Sequence, residues 1–153
     1  RKDLIMVKTT DSKRPYEVVI LMHPDATAEQ QKALFAKNKE TIATYKGNIQ
    51  AVETWGKRTL ATPIGKLRKA VYFHAVYEVQ PQAIMELERT MRINDKVLRF
   101  MHTALDERTS MVKHVESFKK GLAESAQREK EREAKSLLRR QAAQQARMER
   151  DEE

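Results

Sequence analysis

The sequence predicts an α+β fold in which a four-stranded antiparallel sheet carries two helices on one face. Three features lead to this prediction: an apolar strand near the start, two stretches with helical apolar stripes, and two long β sections between them. Their order is β-α-β-β-α-β, the split βαβ unit of ferredoxin-like folds. In this topology the uncovered face of the sheet is available to a partner.

The first strand is predicted over residues 15 to 22, because both of its faces are apolar for most of its length. This pattern is typical of a strand at the centre of a sheet, and Pro24 ends it. Thr27 and Gln30 then have the spacing of a capping box at the start of a helix, with Asp25 as a rival cap.

The first helix contains a stripe of side chains with helical spacing. This stripe consists of Leu34, Phe35, Asn38, Ile42 and Tyr45. Gly47 is predicted to end the helix. Two β sections follow, over about residues 48 to 64 and 68 to 79, with Gly65 at the turn between them. In the second section alternate apolar residues occupy one face, namely Val71, Phe73, Ala75, Tyr77 and Val79.

Pro81 suits the first position of a second helix. Its buried stripe consists of Ile84, Leu87 and Met91. Asn94 is predicted to take the left-handed conformation at the end of this helix. The last strand is predicted from Lys96 to about Ala104. In the strand order of this fold, the second and last strands form the two edges of the sheet, which are suited to pairing with another chain.

Composition restricts the classes of function. The net charge of +8 favours nucleic acid or another anionic surface as the partner. The absence of cysteine excludes disulfides and thiolate metal sites. No apolar stretch approaches the roughly 20 residues of a transmembrane helix, and the sequence shows no signal peptide. We therefore expect a cytoplasmic protein without a membrane partner.

The predicted hairpin carries a run of positive charge. Between Glu53 and Glu78 the sequence has five basic side chains and no acidic one. These residues are Lys57, Arg58, Lys66, Arg68 and Lys69. Such a run is often only a solvated face, but along an extended ribbon it also suits RNA phosphates, whose neutralisation releases counterions. We take these five residues as the candidate RNA contacts, with Arg14 and Arg92 as further candidates.

Two aromatic residues accompany the basic run. Trp55 and Tyr72 can stack on exposed bases, although structural packing is the favoured interpretation for aromatic residues in strands. The four histidines lack metal-ligand spacing, and His74 and His102 are predicted on strands that flank the first strand and not each other. No phosphate loop or acid/base pair is present. We therefore expect no metal, no cofactor and no enzymatic activity.

The chain is predicted to comprise an N-terminal extension (1 to 13), a ferredoxin-like domain (14 to 105) and a charged C-terminal extension (106 to 153). The segment from about 116 to 150 is rich in Glu, Lys, Arg, Gln and Ala, with few apolar residues. It is predicted to be a solvated helix, or a disordered segment that becomes helical when it docks. Two alternatives remain for the whole protein: an anion- or small-molecule-binding enzyme, and a helical adaptor that self-associates through this segment.

Three stretches of the sequence carry recognisable motifs. The first is Tyr16-Glu17-Val18-Val19 with His23-Pro24-Asp25. The second is Trp55-Gly56-Lys57-Arg58 with Leu60-Ala61 and Pro63-Ile64-Gly65-Lys66. The third is Arg92-Ile93-Asn94-Asp95 with Val97-Leu98-Arg99. Together these stretches, which span residues 15 to about 105, resemble the bacterial small-subunit ribosomal protein six family and occur in the family's order.

The resemblance implies a structural protein in the platform of the small ribosomal subunit. It would bind the central domain of 16S ribosomal RNA jointly with small-subunit ribosomal protein eighteen. The predicted surface for this protein partner is the open sheet face or an edge strand. The C-terminal extension offers a contact for other ribosomal proteins.

Overall fold

The structure, a computed structural model, describes residues 13 to 151. Its elements in chain order are β1 (Arg14–Met22), α1 (Ala28–Thr44), β2 (Asn48–Ile64), β3 (Leu67–Val79), α2 (Pro81–Arg92), β4 (Val97–Ala104) and α3 (Met111–Asp151). This order confirms the predicted one. Apart from Lys13, the predicted N-terminal extension lies outside the described residues. The chain divides into two compact units, one ending at Val115 and the other beginning at Glu116.

The four strands form one antiparallel sheet in the order β2-β3-β1-β4. β1 is therefore central and β2 and β4 are the edges, as predicted. Val18 of β1 lies opposite Ala75 of β3 and opposite His102 of β4. Because side chains alternate across a strand, these three residues share one face and their chain neighbours share the other.

The hydrophobic core lies between the sheet and the two helices α1 and α2. Alternate residues of β1 and β3, such as Ile20 and Phe73, are buried there against Leu34 of α1 and Leu87 of α2. The predicted stripe of β3, from Val71 to Val79, is entirely within this core. The opposite face of the sheet is the one that the two helices leave uncovered.

The N-terminus of α1 has the predicted capping box. The Thr27 hydroxyl oxygen accepts from the Gln30 backbone N–H at 3.2 Å, and the Gln30 side-chain oxygen accepts from the Thr27 backbone N–H at 3.0 Å. Asp25 is therefore not the cap. The two reciprocal bonds satisfy donors that the first turn of a helix leaves without partners.

At the ends of α1 and α2, the residues expected from the sequence to be left-handed are not left-handed. Lys46, with φ of 56°, takes the left-handed conformation after α1, and Gly47 does not. Gly47 is instead needed for space, because a Cβ there would lie 2.8 Å from the Glu78 carbonyl oxygen. Asn94 after α2 is not left-handed either. Its side-chain oxygen accepts from the Lys96 backbone N–H at 3.0 Å, which forms an Asx turn into β4.

The segment after the sheet is helical, which confirms one of the two predicted states. α3 runs from Met111 to Asp151, and its apolar side chains Leu137, Leu138 and Met148 are exposed. Glu, Lys, Arg and Ala dominate this stretch, and these residues stabilise a helix without a core. No helix among the described residues is long and apolar enough to cross a membrane.

Candidate nucleic-acid interface

The hairpin of β2 and β3 extends past the end of the four-stranded sheet. The ladder between β1 and β3 ends where Met22 pairs with Val71. β2 and β3 continue to pair beyond that point, first through Arg58 and Ala70. Residues 58 to 70 therefore form a two-stranded ribbon, which we call the arm.

Most of the residues predicted to contact RNA lie in the arm. Arg58, Lys66, Arg68 and Lys69 belong to it, and Lys57 lies at its base opposite Val71. The arm contains no acidic residue. All of these cations except the half-buried Arg58 are exposed.

The exposed cations at the arm have no acidic partner in the described part of the chain. Within residues 13 to 151, no carboxylate lies within ion-pair distance of Lys57, Lys66, Arg68 or Lys69. By contrast, exposed cations elsewhere, such as Arg89 and Arg108, bond to neighbouring carboxylates at 2.7 and 3.2 Å. The positive field at the arm is thus open to an external anion.

Local chemistry shapes the tip of the arm. The ladder shifts register between Thr59 and Ile64, so several β2 residues bulge away from β3. Pro63 lies in this bulge, where its lack of a backbone N–H costs no ladder bond. Gly65, with φ of 58°, supplies the left-handed residue of the turn. The turn leaves Lys66 exposed at the end of the arm.

An aromatic group lies at the base of the arm, on the face of the sheet away from α1 and α2. Trp55 lies nearly parallel to Tyr72, with ring centroids 6.3 Å apart, and to His74, at 5.8 Å. The Cζ of Arg58 is 5.5 Å from the Trp55 ring centroid, and Arg58 Nε donates to the Trp55 carbonyl oxygen at 3.2 Å. Trp55 therefore packs within the protein, in agreement with the favoured interpretation.

The sequence analysis treats Trp55 and Arg58 as separate features and does not bring them together. Residues three apart in a regular strand point to opposite faces. Gly56, a glycine inside a strand pattern, was the sequence signal for an irregularity that can place two such residues on the same face.

The two further RNA candidates lie at opposite ends of the sheet. Arg14 pairs with Val79, at the end away from the arm, and its side chain bonds Glu107 at 3.3 Å. Arg92 ends α2, close to the start of β4, and β4 begins beside Met22 at the arm's end of the sheet. Arg92 is thus the better placed of the two to join a surface that includes the arm.

Arg92 already has two contacts within the protein. Its guanidinium bonds Glu88 at 3.3 Å and lies 5.8 Å from the centre of the Phe100 ring. Its side chain is nevertheless 68% exposed, so it remains accessible to an anion.

The buried histidines belong to separate pairs. His74 bonds Glu17 at 3.0 Å on the uncovered face, whereas His102 bonds Glu88 at 3.2 Å on the helix face. Burial lowers the pKa of His102 despite the opposing effect of the Glu88 carboxylate. β3 and β4 flank β1, as predicted, so the two histidines share no site. No cluster of potential metal ligands occurs among the residues that the structure describes.

An apolar cavity of about 790 Å³ lies between α1 and β2. Phe35, Ile49 and Phe73 are among its lining residues, with Lys32 and Lys39 as its charged groups. Among the residues that the structure describes, the lining contains no carboxylate and no histidine. This described lining therefore offers no candidate acid/base pair.

Comparison with known proteins identifies the family. The family model described as Ribosomal protein S6 matches residues 15–104. The small ribosomal subunit protein bS6 of Bdellovibrio bacteriovorus is 73% identical over 124 residues, which are 81% of this chain and 82% of that protein. The bS6 protein of Geobacter metallireducens is 38% identical over 97 residues, covering 63% of this chain and 82% of that protein.

A solved structure agrees with this assignment. The crystal structure of 30S ribosomal protein S6 from Thermotoga maritima superposes with a TM-score of 0.56 at 26% identity. The match covers 61% of this chain and 88% of that one. With its fold, its sheet order and the family model in agreement, the chain belongs to the ribosomal protein S6 family, the structural S6 proteins of the small ribosomal subunit.

Proposed function

We propose that this protein binds the central domain of 16S ribosomal RNA through the arm, and does so jointly with small-subunit ribosomal protein eighteen. The arm carries this proposal, because it is a projecting ribbon whose exposed cations have no carboxylate near them among the described residues. Binding would hold a particular arrangement of the RNA in the platform of the subunit.

The contacts of the arm would be mainly to phosphate and sugar. Lysines and arginines on a narrow ribbon can follow an RNA backbone, whereas the deep major groove of A-form RNA does not admit side chains that would recognise bases. Each phosphate neutralised releases condensed counterions, which raises affinity without base recognition. The arm would therefore position the protein and leave sequence recognition to other groups.

The protein partner would pair with an edge strand or pack on the uncovered face. β2 and β4 are the edges of the sheet, and their outer backbone groups are suited to adding a further strand. On β4, Met101 lies opposite Val19 on the uncovered face and is 62% exposed. A protein partner paired with this edge would cover this side chain.

Joint binding would be a thermodynamic linkage. If ribosomal protein eighteen and this protein both favour one RNA arrangement, each raises the affinity of the other by the same factor. On α3, the exposed pair Leu137 and Leu138 supports an additional contact with another ribosomal protein.

The test is binding of the purified protein to central-domain 16S RNA, with and without ribosomal protein eighteen. One variant replaces Lys66, Arg68 and Lys69 with glutamine. The matched control replaces Lys32, Lys37 and Lys39 of α1 with glutamine, so both variants lose the same charge. We expect the arm variant to lose about ten-fold or more in affinity near 0.15 M salt, and the control to stay within about two-fold of wild type.

The measurements with ribosomal protein eighteen test joint assembly. Adding ribosomal protein eighteen should tighten binding of the wild type and of the α1 control. Equal losses in the two triple variants would show that only net charge matters and would refute the arm as the interface. An RNA affinity that does not change when ribosomal protein eighteen is added would refute joint assembly.

A further inference from the structure

We infer that one face of α3 is a second RNA-binding surface, and that its partner is the phosphate backbone of a double-stranded RNA segment. This face carries four cations, which we call the basic row: Arg128, Arg132, Lys135 and Arg139. The inference goes beyond the proposed function, because the basic row lies outside the arm and outside residues 15–104, which the family model matches.

Helical spacing brings the four cations to one side of α3. They follow one another at intervals of four, three and four residues within a continuous helix, and residues three or four apart are neighbours on a helix surface. At 3.6 residues per turn and 1.5 Å per residue, they occupy a sector of about 60° and a length of about 16 Å. All four side chains are exposed. The result is a straight line of positive charge.

Acidic residues lie beside the basic row and not within it. Glu129, Glu131 and Glu133 alternate with the cations in the sequence, but they fall outside the three- and four-residue spacing. Each of them is turned by at least about 70° from the centre of the row. The row therefore presents one sign of charge along its length, although the segment that contains it is mixed.

None of the four cations has a carboxylate within ion-pair distance in the part of the chain from 13 to 151. This holds even for Arg128 and Lys135, which follow Glu124 and Glu131 by four residues, the spacing at which opposite charges attract. Cations four apart within the row also repel one another. A bound polyanion would relieve this repulsion, whereas a helix that is only solvated keeps it.

The rest of α3 distinguishes between the possible anionic partners. Single-stranded RNA is held largely by stacking on aromatic side chains, and α3 has no aromatic residue after Phe118. A membrane surface requires a continuous apolar face, but the side opposite the basic row carries Lys130, Gln141 and Gln144 beside Leu137. The phosphates of a duplex require only a line of cations. Double-stranded RNA is therefore the partner that these residues favour.

The contacts of the basic row are to phosphate. Three of its four members are arginines, which can bind a phosphate through two parallel hydrogen bonds. Each phosphate that is neutralised releases condensed counterions. Because the deep major groove of A-form RNA keeps side chains from the base edges, the row follows the backbone beside a groove. It should bind duplexes of any sequence.

The experiment measures binding of the full chain to an RNA duplex of arbitrary sequence and about 16 base pairs, the length that double-stranded RNA-binding domains span. The parent protein is the triple arm variant, so that α3 is tested apart from the arm. The row variant replaces all four cations of the basic row with glutamine, which has a similar helix propensity. We expect a loss of about ten-fold or more near 0.15 M salt, and a salt slope shallower by about 3 to 4.

The matched control replaces four other cations of α3 with glutamine, so that both variants lose the same charge. These are Lys119, Lys130, Arg140 and Arg147, and they lie at least about 90° from the centre of the basic row. The control should stay within about three-fold of the parent. Equal losses in the two variants would overturn the inference, because only the net charge of α3 would then matter. Parent-like affinity in the row variant would also overturn it.

A second variant moves two cations off the row without changing the composition of α3. It combines Arg128→Glu with Glu129→Arg, and Arg132→Glu with Glu133→Arg. The net charge is unchanged, but two positions of the row become acidic, so duplex affinity should again fall about ten-fold or more. Far-UV circular dichroism compares the helix content of all variants. If the row variant loses helix content, parent-like affinity in this exchange variant would still overturn the inference.

Other partners are outcomes of the same design. If the parent binds vesicles that contain phosphatidylserine through the basic row and does not bind the duplex, the partner is a membrane surface and the inference is wrong. Failure of the proposed function gives a different result, because that function is tested with central-domain 16S RNA and variants that leave α3 intact. The arm can fail that test while duplex binding by the parent still depends on the basic row.

Discussion

At the end of α1, Lys46 takes the left-handed backbone and Gly47 takes the crowded position beside it. The Gly47 backbone N–H bonds the Ile42 carbonyl oxygen at 2.8 Å, and the Lys46 N–H bonds that of Ala43 at 3.0 Å. These two bonds form a Schellman motif with a lysine where glycine is usual. The sequence correctly indicated that α1 ends near Gly47. It did not show whether glycine is needed there for a left-handed φ or because there is no space for a side chain.

Replacement of Gly47 by alanine should destabilise the protein by about 1–3 kcal/mol. Its Cβ would lie 2.8 Å from the Glu78 carbonyl oxygen and 2.9 Å from the Val79 Cβ, so the backbone must shift. Urea unfolding measures the change. In Gly121→Ala the new Cβ meets no atom within 4 Å, and this control should be neutral or stabilising. Equal stability of the Gly47 variant and wild type would contradict the crowding.

The burial of His102 can be tested through the pH dependence of the protein's stability. Burial lowers its pKa, while Glu88, which Arg92 also contacts, opposes the shift, and the Tyr77 and Phe100 rings face the imidazole. The unfolded chain therefore takes up a proton at a higher pH than the folded protein does. The free energy of unfolding should fall as pH drops below about 6.5, by at most about 1.4 kcal/mol per pH unit from this group.

The measurement is urea unfolding of wild type and His102→Gln at pH 7.5 and pH 5. The variant removes the titrating group, so its stability should change less between the two conditions. An equal change in the two proteins would show that His102 does not carry the effect. The Nε2 atom of His102 is buried and has no hydrogen-bond partner among residues 13 to 151, which adds to the cost of charging the ring.

At the scale of elements, local chemistry determined most of what the sequence could predict. β2 has its predicted bounds, about residues 48 to 64. β4 begins at Val97, one residue after its predicted start. Alternation in β3 correctly assigned the core face, because side-chain period and burial agree along that strand. The open and helix-covered faces followed from the same pattern.

The arm and its bulges could not be predicted in the same way. How far β1 extends along β3 depends on pairing between distant residues, and no local pattern records where that ladder ends. The bulge at Trp55 likewise changes the register of β2 without interrupting its β character. The charge pattern of the sequence predicted the five cations as a group on the hairpin, but their location at and beyond the end of the four-stranded sheet required the structure.

The capping box of α1 gives a prediction for one element. Thr27→Ala removes the hydroxyl that accepts from Gln30, and we expect a loss of about 1 kcal/mol in stability by chemical denaturation. Thr44→Ala is the control, because the Thr44 hydroxyl bonds the Glu40 carbonyl oxygen near the other end of the helix and caps nothing at the N-terminus. Its effect should stay within about 0.5 kcal/mol. Similar losses in both variants would argue against the cap.

At the scale of the whole molecule, family membership confirms the main sequence-based expectations. The chain is an S6 protein of the small ribosomal subunit with the predicted ferredoxin-like fold, and it is a structural protein and not an enzyme. Its place is therefore the cytoplasmic ribosome. The net charge of +8 agrees with a partner that is a polyanion, and binding to 16S RNA with ribosomal protein eighteen is the function that we propose.

The central claim is that the arm carries the phosphate contacts. The most direct test is the dependence of RNA affinity on salt, measured with ribosomal protein eighteen present. Wild type is compared with a variant in which Lys57, Arg58, Lys66, Arg68 and Lys69 are glutamine. If all five contact phosphates, the slope of log affinity against log salt should become shallower by about 3.5 to 4.5. An unchanged slope would contradict the account, because it would place the phosphate contacts elsewhere on the protein.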